Sequence, residues 1–413
     1  MPLPKESWTP ASATDVAEAD IAISAAVVAY AEEASGARLA PRRLSALLDL
    51  EPAVVDPGKA LAAVAAADDP GEALRSVNPA QPGYARLRDE LAKLRAEALS
   101  AASVPPGPTL RLGMSDPRVA LIRSRLGIDA EPLSSPELYD TRVAAAVATF
   151  QRSAGLPVSG AFTPATHAAL DGGAKAGEAA IIANMEMWRW QPHEPEPTRI
   201  EINIPDFMLS YYRDGELGVH ERTIVGKPET PTAIFSNAVR YLLVNPAWRV
   251  PDSIINKEFL PKLAEDPDYL TKHGFEVTMV GDRMVVKQPP GAANALGRIL
   301  FMFPNDHAIY LHDTPARGLF AGAFRAFSHG CIRLEAPFKL AELLFNGDAR
   351  YSAQRLEAMI GGQERTIPLP QPVPIHIVYF TRFADEDGEL QRREDLYGLA
   401  KIVAGTLSRI SQD

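Results

Sequence analysis

The chain has 413 residues, of which 46% are hydrophobic and 23% charged, and this composition predicts a globular protein with two or three domains. Its formal net charge of −10 at pH 7, with no strongly basic block to offset it, argues against nucleic acid as a partner. No stretch of the sequence approaches the roughly 18 apolar residues that span a membrane.

The first part of the chain is rich in alanine and has apolar residues at helical spacing, which predicts a helical scaffold domain over residues 1–102. Residues 103–108 contain prolines and a glycine, a composition typical of a linker. Residues 109–173 predict a compact helical module. Its expected helix starts are Asp116-Pro117, Asp140-Thr141 and Thr163-Pro164. Residues 174–198 predict a separate helix followed by a proline-rich linker.

Several residues of the helical module match a known pattern: Val143, Phe150-Gln151, Gly155-Leu156, Gly160, Thr166 and Leu170. The pattern resembles the small three-helix peptidoglycan-binding module found on cell-wall enzymes. A generic helical bundle is the alternative explanation of the same periodicity. The resemblance implies contact with peptidoglycan, but it identifies no groove residues.

The apolar spacing changes from helical to alternating at Arg199, which predicts a β-rich domain over residues 199–413. Tight turns at Arg213-Asp214-Gly215 and Gly281-Asp282 predict two hairpins. Further strands are expected near residues 199–204, 239–244, 308–311 and 375–380, and helices near 337–345 and 353–360. Because strands and helices do not alternate, we expect a mostly antiparallel, partly closed barrel or a sandwich.

Cys331 is the only cysteine of the chain, and it lies among serine, histidine, glycine and arginine residues. Such surroundings favour a nucleophilic thiol over a core residue. A nucleophile needs a base, for which His312 and His329 are both candidates. The spacing alone leaves the choice open but favours His312, which follows a predicted apolar strand. The backbone amides of Gly330 and Cys331 are candidates for an oxyanion hole.

A zinc site is the main chemical alternative for the same side chains. Structural zinc takes four protein ligands and catalytic zinc usually takes three plus water. The spacing of His312, His329 and Cys331 fits no common zinc pattern, and a single cysteine rules out a Cys-x-x-Cys pair. We therefore expect neither a metal nor a cofactor.

The motif His312-Asp313-Thr314, followed by Ser328-His329-Gly330-Cys331-Ile332-Arg333, resembles the signature of the L,D-transpeptidase catalytic domain. Further segments match the large multidomain subgroup of that family: 203–205, 224–228, 230–232, 245–251 and 291–297. The resemblance implies a multidomain α and β fold. Its parts are a helical scaffold, a three-helix peptidoglycan-binding module and a mostly antiparallel β L,D-transpeptidase catalytic domain with a capping insertion.

The same resemblance assigns roles to the motif residues. Cys331 is the expected nucleophile and His312 the expected general base. Ser328, His329 and Gly330 form the expected turn and oxyanion region, and Arg333, Tyr310 and Trp248 are expected to contact the substrate. Asp313 replaces the commoner glycine, which leaves the partner that orients His312 open, although a backbone carbonyl is the usual one. Residues 248–297 correspond to a mobile cap over the site, with a simple packing hairpin as the alternative.

The activity that the resemblance implies is the formation of 3→3 cross-links between peptidoglycan stem peptides through a cysteine thioester. Carbapenem-type inhibitors are then expected to acylate Cys331. L,D-carboxypeptidase activity, protein anchoring and a non-catalytic peptidoglycan-binding scaffold are the alternatives. Residues 1–5 lack the features of an export signal, whereas the family implies the periplasm. We expect a periplasmic protein whose export signal is not part of this chain.

Overall fold

The computed structural model describes residues 12–100, 103–128, 135–385 and 387–410. Its helices are α1 (Ala13–Glu32), α2 (Pro41–Leu44), α3 (Pro57–Ala66), α4 (Pro70–Arg75), α5 (Pro82–Ser100), α6 (Arg118–Arg125), α7 (Thr141–Ser153), α8 (Pro164–Arg189), α9 (Asp252–Ile254), α10 (Leu260–Glu265), α11 (Tyr269–Lys272), α12 (Pro337–Leu344), α13 (Ala353–Glu357) and α14 (Leu399–Ile410). None of these helices has the length and apolar character needed to cross a membrane, within the ranges described. Residues 1–5, which bear on the export signal, lie outside those ranges.

The strands are β1 (Arg199–Asn203), β2 (Met208–Arg213), β3 (Glu216–Gly226), β4 (Ser236–Val244), β5 (Trp248–Arg249), β6 (Glu276–Val280), β7 (Arg283–Gln288), β8 (Ile299–Met302), β9 (Leu311–His312), β10 (Ala326–Ser328), β11 (Ile332–Leu334), β12 (Arg365–Val378), β13 (Arg382–Ala384) and β14 (Leu390–Arg392). The fold is thus a helical N-terminal region followed by a β-rich domain, as the sequence predicts.

Two compact units make up the chain. The first comprises Met1–Gln81, Arg189–Thr381 and Arg393–Leu399, and the second comprises Pro82–Trp188, Arg382–Arg392 and Ala400–Asp413. The predicted domain boundaries divide the chain at other positions, and they stay a prediction.

A nine-stranded sheet with the order β10-β3-β11-β9-β8-β4-β12-β1-β2 is the centre of the first unit. Because β2 also pairs with β3, the sheet closes on itself as a barrel. Most neighbouring strands are antiparallel, whereas β1–β12, β3–β10 and β9–β11 are parallel. Its core includes the fully buried Ile200, Leu242, Phe301 and Ile377. Burial of each such side chain stabilises the fold by about 1.5–3 kcal/mol.

The two predicted hairpins are confirmed. The first joins β2 to β3 through Asp214 (φ 53°) and Gly215 (φ 88°). Two consecutive left-handed residues form the tight turn whose twist matches that of the paired strands. The second joins β6 to β7, and Gly281 has φ 61° in its turn. Local turn chemistry therefore sets the register of both hairpins.

The strand predicted over residues 308–311 is wrong in extent. Only its last residue is in a strand, because β9 begins at Leu311 and Ala308 is left-handed at φ 52°. The side chain of Asn305 accepts hydrogen bonds from the amides of His307 (3.0 Å) and Ile309 (3.2 Å). These bonds fold the preceding residues into a loop, since a side chain that bonds nearby amides competes with strand pairing.

The predicted capping insertion has a core of its own. It contains a separate three-stranded sheet with the order β5-β7-β6 and the helices α9, α10 and α11. Its buried apolar cluster consists of Val250, Ile255, Phe259, Leu270 and Val286. The segment is therefore a small packed body rather than a simple hairpin.

In the second unit, α6, α7 and α8 surround an apolar core made of Val104, Leu110, Val119, Ile122, Tyr139, Val143, Val147, Phe162 and Leu170. Gln151 is buried beside this core. Its Nε2 donates to the Ala161 carbonyl (2.8 Å) and to Thr166 Oγ1 (2.9 Å), and its Oε1 accepts from the Gly160 amide (3.0 Å). The spacing of these residues in the sequence thus has a structural cause, because one buried amide satisfies several backbone and side-chain groups.

The prediction of two helices between residues 164 and 190 is wrong. The structure has the single helix α8, which runs from Pro164 to Arg189 without a break. Gly172 and Gly173 lie inside this helix. A glycine inside a helix costs only about 1 kcal/mol relative to alanine, which the rest of a long helix offsets.

Candidate active site

Two short parallel strands bring the candidate catalytic residues together. β9 pairs with β11 so that His312 lies opposite Arg333. Ile332 is the residue after Cys331, and its amide donates to the Tyr310 carbonyl at 3.0 Å. The pairing of the two segments therefore extends to the start of β11. Because paired residues project from the same side of a sheet and side chains alternate along each strand, Tyr310, His312, Cys331 and Arg333 belong to one face.

His312 is buried, with 4% of its surface exposed, and its ring is fixed by the backbone. Its Nδ1 donates to the Asp313 carbonyl at 2.6 Å, which fixes a proton on that nitrogen. Burial, reinforced by the positive charge of Arg333, lowers the pKa of His312 to about 4. The imidazole is therefore neutral at neutral pH and ready to accept a proton.

The Asp313 carboxylate has a role separate from the histidine ring. It accepts hydrogen bonds from Arg298 Nε (2.7 Å) and from the Arg298 amide (3.1 Å), and it pairs with Arg317 at 3.3 Å. Gly297 packs so closely that a Cβ there would lie 2.5 Å from the Asp313 Cβ. Asp313 thus orients His312 through its main-chain carbonyl, and its side chain anchors the segment before β8.

The Cys331 thiol is free and partly exposed. Desolvation raises its pKa, whereas the backbone of Tyr310 and the charge of Arg333 lower it. Its Sγ donates to the Ala308 carbonyl at 3.7 Å. Because the pKa of the thiol is raised and that of His312 is lowered, both groups are uncharged at neutral pH. The thiol must therefore give its proton to a base as it attacks.

The turn that presents Cys331 depends on a glycine. Gly330 has φ 110°, a conformation that residues with a Cβ rarely adopt. Its amide donates to Ser328 Oγ at 3.1 Å, and Ser328 Oγ donates to the Cys331 carbonyl at 2.5 Å. The Gly330 amide, expected in an oxyanion hole, is thus already engaged. For the Cys331 amide, no acceptor is found within the described part of the chain.

The His329 side chain contacts the predicted capping insertion. Its Nε2 lies 2.5 Å from Glu258 Oε1, and Glu258 belongs to the π-helical segment Ile255–Phe259 of the insertion. The two side chains are 36% and 39% exposed. The bond ties the His329 ring to Glu258, whereas His312 lies on the same face of the sheet as Cys331, which favours His312 as the base.

The predicted substrate-contact residues lie in different surroundings. Arg333 is largely buried, and its Nε has no hydrogen-bond partner among the residues described. A buried cation beside the thiol is suited to a substrate carboxylate. The Trp248 ring instead packs at 6.2 Å from Phe275 in the capping segment. Burial and the charge of Cys331 raise the pKa of Tyr310.

The sequence reasoning missed a tyrosine that braces the turn. Tyr397 Oη donates to the Gly226 carbonyl at 2.6 Å and accepts from the Thr232 amide at 3.2 Å. Thr232 Oγ1 then donates to the Gly330 carbonyl at 2.8 Å. Tyr397 is far from Cys331 in the sequence and belongs to no local motif, so only the folded contacts reveal it.

Models of known families match three parts of the chain. Residues 197–352 match the L,D-transpeptidase catalytic domain (YkuD). Residues 3–91 match a scaffold domain, and residues 124–170 match a domain described as "Putative peptidoglycan binding domain". The catalytic-domain match contains both His312 and Cys331.

Individual L,D-transpeptidases are similar to parts of the chain. A Haemophilus influenzae protein named "Putative L,D-transpeptidase" is 34% identical over 232 residues, which are 52% of this chain and 46% of the relative. The chain thus spans about half the length of that relative. L,D-transpeptidase 3 of Mycobacterium tuberculosis with a faropenem-derived adduct is 15% identical over 44% of this chain and 60% of that one (TM-score 0.24). The E. faecium catalytic domain acylated by ertapenem is 15% identical over 45% and 98% (TM-score 0.21).

Proposed function

We propose that the protein is a peptidoglycan L,D-transpeptidase that forms 3→3 cross-links through a thioester on Cys331. The observation that carries the proposal is the pairing of β9 with β11, with His312 opposite Arg333. It puts a neutral, tautomer-fixed imidazole and a free thiol on one face of the sheet. That combination is the requirement for activating a thiol as a nucleophile.

The first half-reaction transfers an acyl group to the enzyme. His312 Nε2 takes the thiol proton while Cys331 Sγ attacks the carbonyl of the third residue, the L-centre of diaminopimelate, in a donor tetrapeptide. The Cys331 amide is the proposed donor to the oxyanion. The carbon–nitrogen bond then breaks, and D-alanine leaves with the proton that His312 returns.

In the second half-reaction, an amine resolves the thioester. The side-chain amine of the third residue in another stem peptide attacks the thioester carbonyl and gives up a proton to His312. A carbon–nitrogen bond forms, the carbon–sulfur bond breaks, and the thiol is restored. Water in place of the amine gives L,D-carboxypeptidase activity, and an amine of a protein gives anchoring.

Two features support a peptidic, carboxylate-bearing donor. Arg333 offers a buried cation without a hydrogen-bond partner for its Nε among the described residues, and the donor ends in a carboxylate. The matched peptidoglycan-binding family supports the sugar–peptide polymer as the partner. We further propose that carbapenems acylate Cys331, since a strained lactam carbonyl is attacked in the same way as the peptide carbonyl.

A cell-wall substrate implies a location at the cell wall, and we propose the periplasm. The domains matched in the chain act on or bind peptidoglycan, which lies outside the cytoplasmic membrane. Fractionation of cells that express the native gene tests this proposal. Recovery of the protein in the periplasmic fraction is expected, and recovery in the cytosol contradicts it.

Incubation of the purified protein with sacculi, followed by mass spectrometry of the muropeptides, tests the activity. We expect 3→3 cross-linked dimers with the wild type and none with Cys331→Ala. If monomeric tripeptides were the only products, the activity would be that of an L,D-carboxypeptidase and not cross-linking. Incubation with a carbapenem separates an enzyme from a non-catalytic scaffold, because a scaffold gives no mass increase on Cys331.

A further inference from the structure

We infer that Asp49, in the N-terminal region, is a positioning residue for the Cys331 thiol. Its carboxylate holds His307, and His307 helps fix the loop whose Ala308 carbonyl contacts the sulfur. The inference rests on the proposed role of Cys331 as the nucleophile, and it extends the site to a segment far outside the matched catalytic domain.

The segment that carries Asp49 is attached to the catalytic barrel by its backbone. The Asp49 amide donates to the Ile234 carbonyl at 2.9 Å, and the Ile234 amide donates to the Leu47 carbonyl at 2.8 Å. Leu48 between them is 1% exposed. Because these bonds involve only the main chain, the Asp49 side chain can be changed without detaching the segment.

The Asp49 side chain reaches a histidine of the catalytic domain. Asp49 Oδ2 accepts from His307 Nε2 at 2.8 Å, and the His307 ring also packs at 4.9 Å from Phe235. The other carboxylate oxygen accepts from Arg42 Nε at 2.7 Å. The hydrogen bond from His307 lowers the pKa of Asp49, so the carboxylate stays ionised at neutral pH. The His307 imidazole is thus held by the Asp49 carboxylate and by the Phe235 ring.

The loop next to His307 is in a conformation that needs such support. Ala308 has φ 52°, where its Cβ is crowded by the backbone. Asn305 holds the loop from inside, since its Nδ2 donates to the carbonyls of Phe303 (2.7 Å) and Ile309 (2.8 Å). Strained residues persist only where neighbouring contacts impose them. The Asp49–His307 bond supplies the contact on the outer side of the loop.

The strained residue is the one that touches the nucleophile. The Ala308 carbonyl accepts from Cys331 Sγ at 3.7 Å. A return of Ala308 to a negative φ rotates the adjoining peptide groups and removes this acceptor from the thiol. The hydrogen bond fixes the direction of the thiol and favours its protonated form. Loss of the bond is therefore expected to lower the pKa of the thiol and to let the Cys331 side chain take other orientations.

Alkylation of the purified protein by iodoacetamide, followed by intact mass, tests the inference. Cys331 is the only cysteine, so every adduct reports on it. We expect Asp49→Ala to move the pH profile of alkylation downwards, with a rate at neutral pH roughly two- to fivefold higher than that of the wild type. Glu51→Ala is the matched control, because Glu51 also pairs with Arg42 but not with His307. The control is expected to match the wild type.

A double-mutant cycle shows whether Asp49 acts through His307. Asp49→Ala, His307→Ala and the double variant are expected to give the same profile, since each breaks one shared bond. Arg333 and Tyr310, which interact with the thiol, and the two histidines His312 and His329 are present in every variant. A profile unchanged from the wild type, or effects of the two substitutions that add, overturns the inference.

Asp49→Asn keeps an acceptor oxygen and serves as the conservative variant. It is expected to restore most of the wild-type profile, whereas a general loss of structure would not be restored in this way. Carbapenem acylation separates the two claims. If a carbapenem does not acylate the wild type, the proposed function is wrong. A shifted alkylation profile in Asp49→Ala would still support the positioning role of Asp49 in that case.

Discussion

The buried position of His312 makes a quantitative prediction about pH. Burial and the charge of Arg333 lower the pKa of this imidazole to about 4, compared with 6.5 for an ordinary histidine. At pH 5 a base with a pKa of 6.5 is only about 3% neutral, whereas one with a pKa of about 4 is about 90% neutral. The two cases differ about thirtyfold in the fraction of competent base.

The assay is the rate of carbapenem acylation in buffers from about pH 4 to 8, followed by intact mass. We expect a nearly constant rate between about pH 5 and 7 and a fall near pH 4. Arg333→Gln removes the neighbouring cation, so the acid limb moves upwards, though not to 6.5, because burial remains. Arg222→Gln is the matched control, since Arg222 is exposed and pairs with Glu335. A half-maximal rate near pH 6.5 in the wild type refutes the reasoning.

The same shift affects stability. The pKa of His312 is lower in the folded protein than in the unfolded chain, so the unfolded chain binds the proton more readily. The contribution of His312 to stability is therefore complete above about pH 6.5 and is lost as the pH falls towards 4. Urea unfolding of the wild type and of His312→Gln across this range measures the difference, and equal pH dependence in both contradicts it.

Three further substitutions test the surroundings of the thiol. Gly330→Ala forces a side chain into a strained backbone and is expected to cost about 1–3 kcal/mol in urea unfolding, whereas Gly291→Ala, in open space, costs less. Glu258→Gln weakens the half-exposed contact with His329, so hydrogen exchange in the capping insertion is expected to rise, by less than about tenfold. Unchanged exchange would show that this contact does not hold the insertion in place. Tyr397→Phe removes the hydroxyl that braces the turn and is expected to lower stability by about 1–2 kcal/mol and to slow acylation; wild-type acylation contradicts that role.

Features set by local chemistry were predictable from the sequence. The alternation of apolar residues after Arg199 and the left-handed turn residues Asp214 and Gly215 predict the first strands and hairpin of the barrel correctly. Asp140, an expected helix start, begins α7 by accepting a hydrogen bond from the Val143 amide. Such signals act over a few residues, so they can be read without knowing the fold.

Features set by individual side-chain hydrogen bonds were not predictable. The side chain of Asn305 turns an apolar run into a loop, and the strand predicted there shrinks to β9. Asp313 orients His312 through a carbonyl because Arg298 and Arg317 take its carboxylate. The Arg298–Asp313 pair joins segments that only the folded sheet brings together. The bonds of Asn305 are local, but the spacing of apolar residues does not encode them.

The central claim is that Cys331 becomes acylated with His312 as its base. Brief incubation of the protein with a disaccharide-tetrapeptide, followed by peptide mapping at low pH, tests it most directly. The account predicts a thioester on the peptide that contains Cys331, with release of D-alanine, and a much slower adduct with His312→Ala. An adduct on another residue, or release of D-alanine by Cys331→Ala, contradicts it.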